Sequence, residues 1–132
     1  MPFIRITLGQ SVALARQQTL ARRATELIAA ILHKRAEVTA VQVVTAGADA
    51  WCIAGDAVAP TLTPSHAELF ITEGTNTPAE KAEMIVALHR ALAETCGPLP
   101  EASYIVIHEV PAGNWGYGGL TQAARQQARQ GL

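Results

Sequence analysis

The sequence predicts an α/β fold (α+β in some schemes), in which two tandem β-α-β units build one four-stranded sheet with two helices on one face. Three observations predict it. The chain repeats itself once: Ile6-Thr7-Leu8-Gly9 returns as Ile71-Thr72-Glu73-Gly74 at an offset of 65, and Trp51 with Ile53-Ala54-Gly55 returns as Trp115 with Tyr117-Gly118-Gly119 at an offset of 64. A period of that kind marks a duplicated supersecondary unit. Both halves also run in the same order: a short extended segment, a glycine turn, a long helical pattern, a second apolar extended segment and a Gly- and Trp-bearing hairpin. Finally, 132 residues that are 49% apolar and 16% charged suffice for one core.

Phe3 to Leu8 is short, β-branched and closed by Gly9, a strand signal. From Val12 to about Lys34, apolar residues at Leu20, Ala24, Leu27, Ile28, Ile31 and Leu32 follow the 3-4 spacing of a helix with one buried stripe. Val38 to Thr45 is a brief, β-branched apolar run and reads as a buried strand. Thr77-Pro78-Ala79-Glu80 supplies a capping hydroxyl, a proline at the first helical position and a glutamate at the third, so the second helix starts there and ends before Gly97-Pro98. Tyr104 to His108 is the matching strand. The expected boundaries are repeat 1 over about 2–58, a Pro- and hydroxyl-rich linker over about 59–65, repeat 2 over about 66–120 and a tail over 121–132 that forms a short helix or frays.

Each β-α-β unit sets its two strands parallel, with a right-handed crossover. Because the helices cover only one sheet face, the other is expected to be apolar and to meet further subunits around an axis. Eleven acidic and ten basic residues leave a net charge of −1, too little field for nucleic acid or an anionic membrane. No apolar run is long enough to cross a bilayer, and the start MPFIRITLGQS lacks the signature of a secretory signal, so a cytoplasmic location is expected. Cys52 and Cys96 lie far apart and read as free, mostly buried thiols. The four histidines show no metal-ligand spacing, and neither metal nor cofactor is expected.

Met1-Pro2 opening directly into a strand, the β-α-β units and the Gly113-Asn114-Trp115-Gly116-Tyr117-Gly118-Gly119 hairpin together resemble the tautomerase superfamily, which includes 4-oxalocrotonate tautomerase and macrophage migration inhibitory factor. The resemblance spans essentially the whole chain. It implies the long form with two fused units, assembled as a homotrimer. It also implies a cofactor-independent keto-enol tautomerase in which the N-terminal proline is the general base on a small enol or 2-oxo acid.

The chemistry of Pro2 agrees. Removal of Met1 would give it a secondary amine; an α-amino group titrates near 7.7–8.0, an apolar site lowers that value, and the ring holds the base at a fixed angle. Ala67, taken as the equivalent residue of the second half, is internal and offers no amine, so one kind of site per chain is expected. The arginines that hold carboxylates in 4-oxalocrotonate tautomerase are not matched: Gln10 and Thr75 follow the turn glycines, and the strand position falls near Gln42 and on Tyr104. That points away from its dicarboxylate substrate toward a monocarboxylate, a neutral enol or a ligand held by amides and hydroxyls. Arg5 is the remaining candidate cation, with a solvated strand arginine as the alternative. Trp51 and Trp115 are pocket walls or packing residues, and Tyr104 and Tyr117 are potential hydrogen-bond donors. Two other functions remain open: a hydratase, dehalogenase or decarboxylase using Pro2 as acid, with Asp49 or Glu109 as the nearby carboxylate, and a non-catalytic trimeric scaffold.

Overall fold

In the computed structural model, which describes residues 2–131, the expected order of elements is present in both halves. Strand β1 (Phe3–Leu8) leads into helix α1 (Leu14–Leu32), a 3-10 turn (Ala36–Val38) and strand β2 (Ala40–Thr45); the short strands β3 (Cys52–Ile53) and β4 (Asp56–Ala57) close the first half. The second half comprises β5 (Ser65–Thr72), α2 (Pro78–Cys96), β6 (Tyr104–Val110), β7 (Gly116–Tyr117), β8 (Leu120–Thr121) and helix α3 (Gln122–Gln130). β1 and β2 are parallel, β5 and β6 are parallel, and β1 pairs antiparallel with β5, so the sheet order is β2-β1-β5-β6.

Strand alternation decides what faces the helices. Ile4, Ile6 and Leu8 of β1 and Ala67, Leu69 and Ile71 of β5 are fully buried against Leu20, Ala24, Ile28 and Leu32 of α1 and Met84, Leu88 and Leu92 of α2. The α2 start is the expected capping box: Thr77 Oγ1 accepts from Glu80 N–H at 3.1 Å, and Glu80 Oε1 accepts from Thr77 N–H at 2.8 Å. α1 lacks such a cap and begins at Leu14, two residues later than its apolar pattern suggested. It stops at Leu32 because His33 takes left-handed backbone (φ 59°) and Asn76 of the second unit donates to the Leu32 carbonyl at 3.0 Å. β2 likewise begins at Ala40, not Val38, because residues 36–38 coil into the 3-10 turn. The tail is a helix, with Thr121 Oγ1 accepting from Ala124 N–H at its start.

Both hairpins turn through two residues at positive φ, Ala54-Gly55 (57°, 84°) and Gly118-Gly119 (59°, 81°). That is the primed turn whose twist matches paired strands.

Three expectations are corrected. The open sheet face is not apolar. It is mixed: Arg5, Thr7, Gln42, His66, Glu68 and His108 stand there beside Phe3, Val44, Phe70, Val106 and Val110, because the residues alternating with the core include both polar and apolar ones. The thiols are not mostly buried: Cys52 is exposed and Cys96 half-buried, with burial raising the Cys96 thiol above its ordinary range. Finally, Ser65 rather than Ala67 stands in the place of Pro2. Matching β2 to β6 by the offset of the tryptophan hairpins puts Tyr104 over Ala40; their partners are His66 and Phe3, so Ser65 falls over Pro2. β5 is two residues longer than β1, which is why an offset taken from the glycine turns overshoots at the strand start. Ser65 is also internal and carries no amine.

Candidate active site

Pro2 sits immediately before β1, and its carbonyl accepts from Ala40 N–H at 3.3 Å, so the start of β1 is tied to the start of β2. Pro2 is buried and lines a cavity of about 340 Å³. Phe3, Val38 and Ala40 of the first unit form one side; Trp115, Gly116 and Tyr117 of the second unit's hairpin and Gln122 at the start of α3 form the other. The hairpin reaches this position because β1 and β5 are antiparallel: Phe3 lies opposite Phe70, next to the end of β6 from which the hairpin departs.

The hairpin is fixed to the sheet. Trp115 Nε1–H donates to Thr72 Oγ1 at 3.2 Å, the Trp115 carbonyl accepts from Gln122 N–H at 2.9 Å, and the Ala112 carbonyl accepts from Ala123 N–H at 2.9 Å. Gly116 is required by space, since a Cβ there would collide with the Leu120 backbone. Arg125 Nη2 donates to the Tyr117 carbonyl at 2.9 Å, with its guanidinium 3.9 Å from the Tyr117 ring centre. Apolar side chains dominate the cavity; among the described residues that line it, Tyr117 and Gln122 are the polar side chains and none is a carboxylate. Such surroundings disfavour an ammonium and lower the pKa of an amine placed there.

Of the residues singled out from the sequence, the structure brings together Pro2, Trp115 and Tyr117. Trp51 stands at the other end of β1, against Gly9 and Pro64. Arg5 lies on the open face, where its Nε donates to Gln42 Oε1 at 3.0 Å and its guanidinium lies 5.5 Å from the Phe3 ring centre. Tyr104 is exposed at the start of β6, opposite His66. Of the carboxylates considered beside the hairpins, Glu109 is engaged by Lys81 Nζ at 2.7 Å, which lowers its pKa, and Asp49 is exposed; neither lines the cavity.

Sequence reasoning missed Val38, Ala40 and Gln122 as cavity residues; of the two tyrosines it raised as hydrogen-bond donors, Tyr117 lines the cavity and Tyr104 does not. Parallel pairing of β2 beside Pro2 placed Val38 and Ala40; the tail reading gave no sign that a glutamine opening α3 would be buried. On the open face, His108 Nε2 lies 3.0 Å from Glu68 Oε1 and His66 Nε2 lies 3.6 Å from Glu68 Oε2. Hydrogen bonding to His108, followed by the charges of His66, His108 and Arg5, holds Glu68 below the ordinary carboxylate range against the opposing effect of burial. His108 also stacks on Phe70 at 4.5 Å.

A family profile described as "Tautomerase enzyme" matches residues 68–125, the greater part of the second unit and its hairpin. The probable tautomerase K2 of Dickeya dadantii (strain 3937) is 33% identical over 57 residues, covering 43% of this chain and 85% of that protein. Among solved structures, a fused 4-OT symmetric trimer superposes with a TM-score of 0.83 at 18% identity, over 93% of this chain and 98% of that one. A macrophage migration inhibitory factor-like protein from Entamoeba histolytica superposes with a TM-score of 0.76 at 19% identity, over 91% and 97%. The chain belongs to the tautomerase family, and its fold is that of two tandem β-α-β units. No helix among the described residues is long and apolar enough to cross a membrane.

Proposed function

We propose that this chain is a cofactor-independent keto-enol tautomerase of a small enol or 2-oxo acid, with Pro2 as the general base once Met1 is removed. The observation that carries this reading is the burial of Pro2 in an apolar cavity walled by Trp115 and Tyr117. An amine held neutral there takes the proton from the enol hydroxyl, or from the carbon beside the carbonyl, and returns it elsewhere on the conjugated system. Such proton transfer contributes about 10²–10⁴-fold in rate. Tyr117 and Gln122 are the polar side chains placed to hydrogen-bond a substrate oxygen. The protein acts as a homotrimer with three such sites, as the fused 4-OT trimer suggests for the same fold. Hydration or decarboxylation with Pro2 as acid finds less support, because that chemistry needs a carboxylate beside the amine.

The test is ultraviolet-monitored ketonisation of phenylenolpyruvate and 2-hydroxymuconate by protein whose intact mass shows Met1 removed, beside Pro2→Ala. Turnover by the wild type that falls at least about 10²-fold in the variant supports the base. Equal turnover refutes it, and no turnover by either protein leads to the scaffold reading.

A further inference from the structure

Basic residues gather beside the Pro2 cavity, around a second cavity that shares Tyr117 with it. This cavity, of about 210 Å³, lies between the β7–β8 hairpin, α3 and the segment after α1, and Arg35, Arg125 and Arg129 line it. A neighbouring cavity of about 190 Å³ again contains Arg35 and Arg129 and adds Lys34. No carboxylate side chain among the described residues lines either one. Among the described residues, Glu37 pairs with Arg35 at 3.1 Å, while no acidic group lies within ion-pair distance of Arg125 or Arg129. Two guanidinium charges therefore stand, among the described residues, without an acidic partner around a small volume. They stand four residues apart on one helix, where like charges repel.

Arg125 is already ordered for binding. Tyr117 fixes it through its carbonyl and its ring, and Gly118 makes room for it, since a Cβ there would come within 2.8 Å of Arg125 Nη2. The Arg125 Nε is shut off from solvent and Nη2 is engaged by Tyr117, so Nη1 and the second hydrogen of Nη2 are the donors left for an anion. A planar guanidinium of this kind matches two oxygens of an oxyanion, and prior ordering lowers the entropy cost of binding.

We propose that this cavity binds a compact, doubly charged oxyanion group on Arg125, Arg129 and Arg35, at a site separate from the Pro2 cavity. The charge follows from the two guanidinium groups without an acidic partner among the described residues, and the compactness from the volume. A phosphoryl group and a small dicarboxylate share this chemistry.

Isothermal titration calorimetry at constant ionic strength tests it, with inorganic phosphate in one arm and malonate in the other. Saturable binding of one anion per chain is expected, weakened about tenfold or more in Arg129→Gln and retained in Pro2→Ala. Arg129 and Arg35 are exposed, so their glutamine variants keep the fold. Tighter phosphate assigns a phosphoryl ligand and tighter malonate a dicarboxylate; either supports the site. Absence of saturable heat in both arms, binding unchanged in both Arg129→Gln and Arg35→Gln, or binding lost in Pro2→Ala overturns the proposal.

Discussion

Replacing Thr72 by valine should loosen the wall of the Pro2 cavity through a single lost hydrogen bond. Thr72 is 5% exposed at the end of β5, and its Oγ1 accepts from the Trp115 indole at 3.2 Å. Valine keeps the shape but leaves the indole N–H without that acceptor. A neutral hydrogen bond contributes about 1 kcal/mol net, and an unpaired, partly buried donor sets the cost near that value. With a urea dependence of about 2 kcal/mol/M for a domain of this size, the unfolding midpoint should fall by about 0.5 M. The protein concentration must be fixed, since assembly adds to apparent stability. Thr72→Ser retains the acceptor and should stay much nearer the wild type. Tryptophan emission should shift to the red in the valine variant alone, because Trp115 then samples solvent. A valine variant with the wild-type midpoint and emission would refute the assignment of this bond as the fixture of the cavity wall.

Other outcomes follow from the same structure. Thr77→Ala removes the side-chain half of the capping box and should cost about 1 kcal/mol, read as a melting temperature lower by roughly 4 °C; an unchanged melting temperature would mean that the Pro78 start suffices without the cap. Gly116→Ala forces a methyl into the Leu120 backbone and should abolish enol turnover while circular dichroism still reports both long helices, whereas an active variant would detach the hairpin from the site. Glu68 is held below the ordinary carboxylate range, chiefly by its hydrogen bond to His108. A carboxylate depressed in the fold stabilises fully above its unfolded value, about 4.3, and that contribution is lost as pH falls through the folded value. Glu68→Gln should therefore flatten the decline of melting temperature on acidification below about pH 4.3; matching declines would show that Glu68 is not coupled to folding.

How much of this was legible in the sequence varied with the range of the interaction. Elements governed by local rules were readable. The Thr77–Glu80 box, the glycine hairpin turns and the 3-4 stripe of Leu20, Ala24, Ile28 and Leu32 each depend on neighbours a few residues away. The end of α1 was less so, because Asn76 from the other unit caps the Leu32 carbonyl. The site was half legible. Pro2 and Trp115 are conspicuous residues, but their meeting depends on antiparallel pairing of β1 with β5 across a long sequence separation. That pairing also sends Trp51 to the opposite end of the sheet and makes Tyr117, not Tyr104, the cavity tyrosine. Alternation correctly placed Arg5 on the face away from the core; its engagement with Gln42 and Phe3 is a cross-strand fact that no single strand discloses.

The central claim is that Pro2 presents a neutral amine at neutral pH. Titration of the Pro2 nitrogen by NMR, in protein labelled with ¹⁵N-proline and freed of Met1, measures this directly. The account predicts a pKa below the ordinary α-amino range of about 7.7–8.0, depressed by the apolar cavity, and a partial return toward that range when Trp115→Ala opens the wall. A value at or above that range would leave the amine protonated and contradict Pro2 as the base.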